Sequence, residues 1–149
     1  MQKGEAPGGR MLFGDVGAMP GWRLIFRLAA LFNFSVAIPL WAAPVWLSTL
    51  LGLEPVPTDI LYTDLFAVLA LTFGIGYWWV GADPVRNQVV LKMGICGKLL
   101  VVGVGYWHFF IGATNLPFAL LVTGDLLWAL VFWRFLWTHP EFRWSGSSA

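Results

Sequence analysis

Four long hydrophobic runs, separated by short polar or glycine- and proline-containing segments, dominate the pattern along the chain. They cover residues 23–43, 60–80, 88–111 and 116–137. A helix needs about 20 residues to cross a hydrocarbon core of about 30 Å, so each run is long enough to span a membrane. Because irregular or open-edged backbone cannot satisfy its hydrogen bonds in lipid, the runs predict helices rather than strands. The predicted fold is an all-α integral membrane four-helix bundle.

The segments outside the four runs are polar or too short to cross a membrane again. Residues 1–22 and 138–149 are predicted to be cytoplasmic tails, the first of them disordered. The N-terminal stretch does not have the organisation of a cleavable signal peptide. After the first run, residues 44–53 are predicted to lie along the outer membrane interface, with Trp41 and Trp46 near the headgroups.

Composition supports the membrane assignment and excludes several other classes. The 149 residues are 58% hydrophobic and 11% charged, whereas soluble domains average about 25% charged residues. The net charge of +1 argues against a nucleic-acid partner, which would require a dense basic patch. A single cysteine excludes a disulfide scaffold and an all-thiolate metal site. Ten Trp and twelve Phe are typical of a protein surrounded by lipid.

The distribution of Lys and Arg predicts the orientation. Basic residues precede or begin the first run, flank the turn between the second and third runs, and follow or end the fourth: Lys3, Arg10, Arg23, Arg27, Arg86, Lys92, Arg134 and Arg143. The other two connections, residues 44–59 and 112–115, contain no Lys or Arg. Basic residues favour the cytoplasmic side of a membrane, so both termini are predicted to be cytoplasmic.

Four polar residues fall deep within the hydrophobic runs. At about 1.5 Å per residue, Asn33, Lys98 and Asp125 lie about 15, 16 and 18 Å from the cytoplasmic ends of their helices, and Asp64 lies about 22 Å in. Unpaired charges at this depth are costly. We therefore predict an intramembrane polar cluster of these four residues, in which Lys98 pairs with Asp125 and Asn33 hydrogen-bonds one of the two.

Small residues accompany the predicted ion pair. Gly97 precedes Lys98 and Gly124 precedes Asp125, so the helix backbones are expected to approach closely there. A buried pair of this kind has two interpretations. It clamps the helices in register without doing chemistry, or it forms part of a functional pocket or proton path.

The search for catalytic and metal-binding patterns identifies no enzyme class. The sequence contains no nucleophile elbow, zinc-protease motif, phosphate-binding loop or dinucleotide fingerprint. His108 lies near the outer end of the third run and is either an interfacial polar anchor or an outer-face ligand. By the predicted topology His139 lies at the opposite face, so the two histidines cannot share a haem or a metal. No metal and no cofactor is therefore predicted, and a non-enzymatic role is favoured.

The chain resembles the small bacterial four-helix inner-membrane proteins of the DoxX-like type. The likeness rests on Arg27 with Asn33, on residues 77–87 (YWWVGADPVRN), on Gly97 with Lys98 and on Gly124 with Asp125. It covers most of residues 23–137. The resemblance implies a multi-pass protein of the bacterial plasma membrane with an accessory role near redox or quinone-linked systems, and it supplies no catalytic residue.

Three functions follow as hypotheses. The first is a non-catalytic subunit or accessory of a membrane complex, for which the family resemblance suggests a redox link, with other membrane subunits or a homo-oligomer as partners besides the lipid bilayer. The second is an intramembrane pocket, around the polar cluster, for a small amphiphile such as a quinone, a terpenoid or a lipid. The third and lowest-ranked is a proton-coupled small transporter in which Asp64 or Asp125 titrates.

Overall fold

A computed structural model describes residues 20–139, and within this range the chain forms five α-helices. They are α1 (Pro20–Ala42), α2 (Pro44–Leu51), α3 (Ile60–Ala82), α4 (Gln88–Phe110) and α5 (Leu116–Thr138). All except α2 contain 23 residues and are apolar enough to cross a membrane. The predicted all-α fold with four membrane helices is confirmed. The outer parts of the two predicted tails, residues 1–19 and 140–149, lie outside the described residues.

The helix ends follow from local capping chemistry. α1 begins at Pro20, earlier than the predicted residue 23, and proline suits a first helical turn because that turn needs no N–H donor there. Asp59 caps α3 by accepting a hydrogen bond from the Tyr62 N–H at 3.1 Å. Asn115 caps α5 in the same way through the Phe118 N–H at 3.3 Å. Both caps satisfy a donor that the helix itself leaves unpaired.

The bundle consists of two closely packed helix pairs. α1 runs along α3, and α4 runs along α5, whereas α3 and α4 approach each other much less closely. Within residues 20–139, every Lys and Arg except Lys98 lies at the end of the bundle that holds the start of α1 and the end of α5. We call this the basic end; it carries Arg23, Arg27, Arg86, Lys92 and Arg134.

Large aromatic rings fill the half of the bundle near the basic end. Phe26 of α1 meets Phe135 of α5 edge-to-face at a centroid distance of 5.0 Å. Tyr77 of α3 lies 4.9 Å from Phe132 of α5. All four side chains are fully buried. Rings in this arrangement add attraction beyond their contact area, so this half forms a densely packed core that joins the two helix pairs.

The opposite end is closed by α2 and the segment that follows it. α2 buries Leu47 and Ser48 against the bundle and leaves Trp46 exposed. Asn115 then donates from Nδ2 to the Gly52 carbonyl at 2.7 Å and accepts from the Glu54 N–H at 3.3 Å. The connection between α1 and α3 is thereby attached to the turn before α5. The sequence predicted a segment along the interface; the structure folds its inner face over the end of the bundle.

Gly105 tests how closely α4 and α5 pack. A Cβ at this position would lie 2.9 Å from both methyl carbons of Val122, whereas a Cβ at Gly103 would meet nothing within 4 Å. We expect Gly105→Ala to lower the free energy of unfolding by about 1–3 kcal/mol, because the stiff Val122 side chain cannot yield without strain. Gly103→Ala is the matched control and should be neutral or stabilising. Unfolding in mixed dodecylmaltoside–dodecylsulfate micelles, followed by circular dichroism, measures both; equal effects would contradict the close approach.

Candidate functional site

An ion pair lies near the middle of the membrane helices. The Lys98 ammonium of α4 donates to the Oδ1 of Asp125 on α5. Lys98 is buried, with 6% of its surface exposed. It follows the start of α4 by ten residues, which is about 15 Å along the helix axis. The two side chains that the sequence suggested as a pair are therefore in contact at membrane depth.

Asn33 of α1 provides the second polar partner of the ammonium. Lys98 Nζ donates to Asn33 Oδ1 at 3.3 Å. The amide nitrogen of Asn33 in turn donates to the Ala70 carbonyl of α3 at 3.0 Å. Asn33 thus joins the pair formed by α4 and α5 to the pair formed by α1 and α3. Both ends of its amide are used, which fixes its orientation.

Two aromatic faces complete the surroundings of Lys98. The ammonium nitrogen lies 5.5 Å from the ring centroid of Tyr77 and 5.7 Å from that of Phe32. A cation at this distance is attracted by the electron-rich face of the ring, and more strongly where water is excluded. Residues of α1, α3 and α5 therefore contact the positive charge that α4 carries. We call Asn33, Lys98 and Asp125 the polar triad.

Two glycines make room for this arrangement. A Cβ at Gly94 would lie 2.6 Å from the Tyr77 hydroxyl oxygen, so only glycine lets the Tyr77 ring reach its place beside Lys98. A Cβ at Gly74 would lie 2.5 Å from the Phe34 ring and 3.2 Å from the Asn33 Cβ. By contrast, a Cβ at Gly97 would make an ordinary 3.5 Å contact. Beside the polar triad, the tight contact on α4 is therefore at Gly94, one turn before Gly97, which the sequence suggested.

A cavity of about 420 Å³ extends from the polar triad to α2. This volume is typical of a pocket for a small molecule. Asn33 and Asp125 lie at one end of the cavity and Ser48 of α2 at the other. Its walls are largely apolar, and they include Phe32, Val36, Leu40, Leu47, Leu53, Phe66, Val101, Phe118, Leu121 and Val122.

One oxygen of the Asp125 carboxylate has no protein partner. Oδ1 accepts from Lys98, and Oδ2 accepts no hydrogen bond from any residue in 20–139. The Asp125 side chain retains 24% exposure and lines the cavity. The inner end of the cavity therefore presents a hydrogen-bond acceptor, while the charge of that acceptor is balanced by Lys98.

Two smaller cavities, of about 280 and 330 Å³, lie between α3 and α4. Lys98 and Asp125 line the first of them. Phe66 and Val101 line these two cavities and also the larger one. Phe66 is 48% exposed on the surface of α3. The loose contact between α3 and α4 therefore places the polar triad close to the lipid-facing surface.

Two other predicted site residues lie apart from the polar triad. Asp64 is partly buried in the second turn of α3, forms no hydrogen bond to the triad and lines none of the three cavities. The structure does not bring it to the cluster. His108 is exposed and lines the 330 Å³ cavity with Thr114. Within residues 20–139, no three His, Cys, Asp or Glu side chains are grouped to hold a metal ion.

Sequence reasoning missed three residues that shape the site. The sequence assigns no role to Phe32 and places Tyr77 only in the segment that resembles DoxX-like proteins, although Ala70, Phe73 and Tyr77 share one helical face, a spacing that signals common contacts. Ser48 carried no such signal, because its position depends on how α2 folds back over the bundle. These residues become part of the site through tertiary packing.

Comparisons with known proteins identify no relative of this chain: no family model, curated protein or solved structure matches it. Its fold and composition define it as a small multi-pass helical membrane protein. The resemblance to DoxX-like proteins stays a prediction that none of these comparisons supports.

Removing the cation of the polar triad should destabilise the bundle. We expect Lys98→Met to lower the free energy of unfolding by about 3–5 kcal/mol, because Asp125 would keep a charge without a partner. Lys92→Met, at the basic end of the same helix, is the matched control and should cost less than about 1 kcal/mol. The double variant Lys98→Met/Asp125→Asn should recover at least half of the loss. Detergent unfolding measures all three; losses that simply add would contradict a direct coupling.

Proposed function

We propose that this protein binds one small amphiphile in the 420 Å³ cavity, with the ligand's polar head at Asp125 and Asn33. The observation that carries this proposal is that a carboxylate oxygen without a protein partner lies at the end of a long apolar cavity. Apolar walls with a few well-placed polar groups are the usual composition of a ligand site. This corresponds to the second of the three hypotheses drawn from the sequence.

The chemistry at the inner end of the cavity favours a neutral head that donates a hydrogen bond. Asp125 Oδ2 accepts and does not donate while Asp125 is paired with Lys98. Lys98 already balances the carboxylate, so a charged head would add an uncompensated charge at membrane depth. A hydroxyl meets both requirements. A quinol or a terpenoid alcohol therefore fits the site better than an anionic lipid.

The charge distribution supports a cytoplasmic location for the basic end. Among the described residues, all Lys and Arg side chains except Lys98 lie there, while Glu54 and Asp59 lie in the connection at the opposite end. Positively charged loops are retained on the cytoplasmic side. In this orientation the cavity occupies the outer half of the bilayer. The bacterial plasma membrane as the location stays a prediction from the family resemblance.

Alcohol binding tests the proposal. We expect the protein in lipid nanodiscs to take up one equivalent of 1-decanol above the uptake of empty nanodiscs, measured by equilibrium dialysis and mass spectrometry. Asp125→Asn should weaken binding about five- to tenfold, because a hydrogen bond to a charged acceptor is stronger than one to a neutral amide.

Matched packing variants separate binding in the cavity from binding at the surface. Ala70 lines the cavity, whereas Ala82 is exposed at the end of α3. Ala70→Leu should abolish the stoichiometric uptake by filling the inner end, and Ala82→Leu should leave it unchanged. Uptake no greater than that of empty nanodiscs, or uptake insensitive to Ala70→Leu, would refute the proposal. If the proposal holds, mass spectrometry of molecules retained through purification would identify the natural ligand.

The other two hypotheses stay predictions. A subunit or homo-oligomer role would use the lipid-facing helix surfaces, and no contact within residues 20–139 favours one of these surfaces over another. A proton-coupled transporter would require a titrating carboxylate on the transport path, and Asp64 lines none of the three cavities.

A further inference from the structure

Ser48 is an unpartnered polar group at the far end of the cavity. Its residue is 1% exposed, and its hydroxyl oxygen has no hydrogen-bond partner. Its carbonyl oxygen is used, since it accepts from the Leu53 N–H at 2.8 Å as α2 ends. Serine hydroxyls in helices commonly bond a carbonyl one turn earlier, as the neighbouring Thr49 does with Val45 at 2.8 Å. Ser48 does not do this, and it lines the cavity instead.

The other hydroxyls near this end of the cavity are not equivalent to Ser48. Thr63 lines the cavity, but its hydroxyl donates to the Asp59 carbonyl at 2.6 Å. Tyr62 also lines it, but 71% of that residue is exposed. Because buried polar groups are nearly always paired, the unpaired hydroxyl of a residue that lines a cavity points to a partner that the cavity would hold.

The helix register gives the separation of the two polar ends of the cavity. Nine residues lead from Asn33 to Ala42 at the end of α1, a rise of about 13 Å. Nine residues also lead from Leu116, at the start of α5, to Asp125. α2 lies at this level, because it follows the end of α1 and because Gly52 bonds Asn115 just before α5. The polar triad and Ser48 are thus about 13 Å apart along the bundle axis.

We propose that the cavity selects a two-ended amphiphile, whose second polar group hydrogen-bonds Ser48 about 13 Å from the group at Asp125. This inference rests on the proposed function and narrows its ligand class. A single-headed alcohol would pair Asp125 and leave Ser48 unsatisfied. A molecule with a hydroxyl at the Asp125 end and a hydroxyl or carbonyl at the Ser48 end of an apolar body of about ten carbons would satisfy both.

A matched pair of probes isolates the contribution of Ser48. 1-Decanol and 1,10-decanediol differ by one hydroxyl, and the two hydroxyls of the extended diol span the cavity. Binding of each is measured by equilibrium dialysis with the protein in nanodiscs, with uptake by empty nanodiscs subtracted. We expect Ser48→Ala to weaken the diol about fivefold, the value of one neutral hydrogen bond, and to change decanol less than twofold. Comparing the two ratios cancels differences in lipid partitioning.

Control variants make each outcome decisive. Thr49→Ala removes an exposed hydroxyl one residue along α2 and should leave both affinities unchanged. Asp125→Asn should weaken both alcohols. If Asp125→Asn does so while Ser48→Ala affects the two alcohols equally or not at all, the two-ended ligand is refuted and the alcohol site stands. If wild-type protein binds neither alcohol, the proposed function fails, and this inference fails with it.

Discussion

The whole arrangement depends on placing one ammonium ion in the middle of a bilayer. Insertion of a central lysine costs about 2.5–3.5 kcal/mol, so its surroundings must compensate the charge. Each of the other three membrane helices supplies part of that compensation: Phe32 and Asn33 from α1, Tyr77 from α3 and Asp125 from α5. A shift of any helix by one turn would remove one of these partners. Lys98 therefore specifies the register of all four helices. The hydrophobic effect cannot do this in a membrane, because lipid tails are as apolar as the helix surfaces.

The polar triad also lies at a boundary between two differently packed halves of the bundle. Towards the basic end, Phe26, Phe132 and Phe135 fill the interior. Towards the opposite end, the interior contains the largest of the three cavities, of about 420 Å³, and α2 covers the end of the bundle. If aromatic rings filled the whole bundle, there would be no space beside Asp125 for a further partner. If the cavity ran through the whole bundle, Lys98 would not be held in place. The densely packed half gives the triad a rigid support, and the half that contains the cavity would give the proposed ligand access to it. The structural and functional interpretations of the ion pair are therefore compatible.

The sequence predicted the depth of three polar residues in the membrane well and the contacts around them less well. Counting residues from the helix ends placed Asn33, Lys98 and Asp125 at one level, because the rise per residue of a membrane helix is nearly constant. The same count put Asp64 within reach of the other three, but in the structure Asp64 stays apart from them. It lies six residues, about 9 Å along α3, from Ala70, whose carbonyl bonds Asn33. It also gave Gly97 a role that Gly94 performs, because the bulk to be accommodated is the Tyr77 ring and not the backbone of a neighbouring helix. The burial of Ser48 beside the cavity could not be predicted, since it results from the attachment of the α2 segment to Asn115.

Selectivity at such a site must come from polar atoms. A ligand that moves from lipid into an apolar cavity gains almost no hydrophobic free energy, because lipid tails are as apolar as the cavity walls. An acyl chain of the bilayer could therefore fill the same volume. It would leave the free Asp125 oxygen and the Ser48 hydroxyl unpaired. The Ser48 hydroxyl is buried, and an unpaired buried polar group costs about 1–3 kcal/mol, whereas the Asp125 side chain is 24% exposed. A ligand that pairs the Ser48 hydroxyl would be preferred over the surrounding lipid by about 1–3 kcal/mol, and a hydrogen bond to the free Asp125 oxygen would add to this preference. That difference would favour the ligand over the acyl chains of the surrounding lipid.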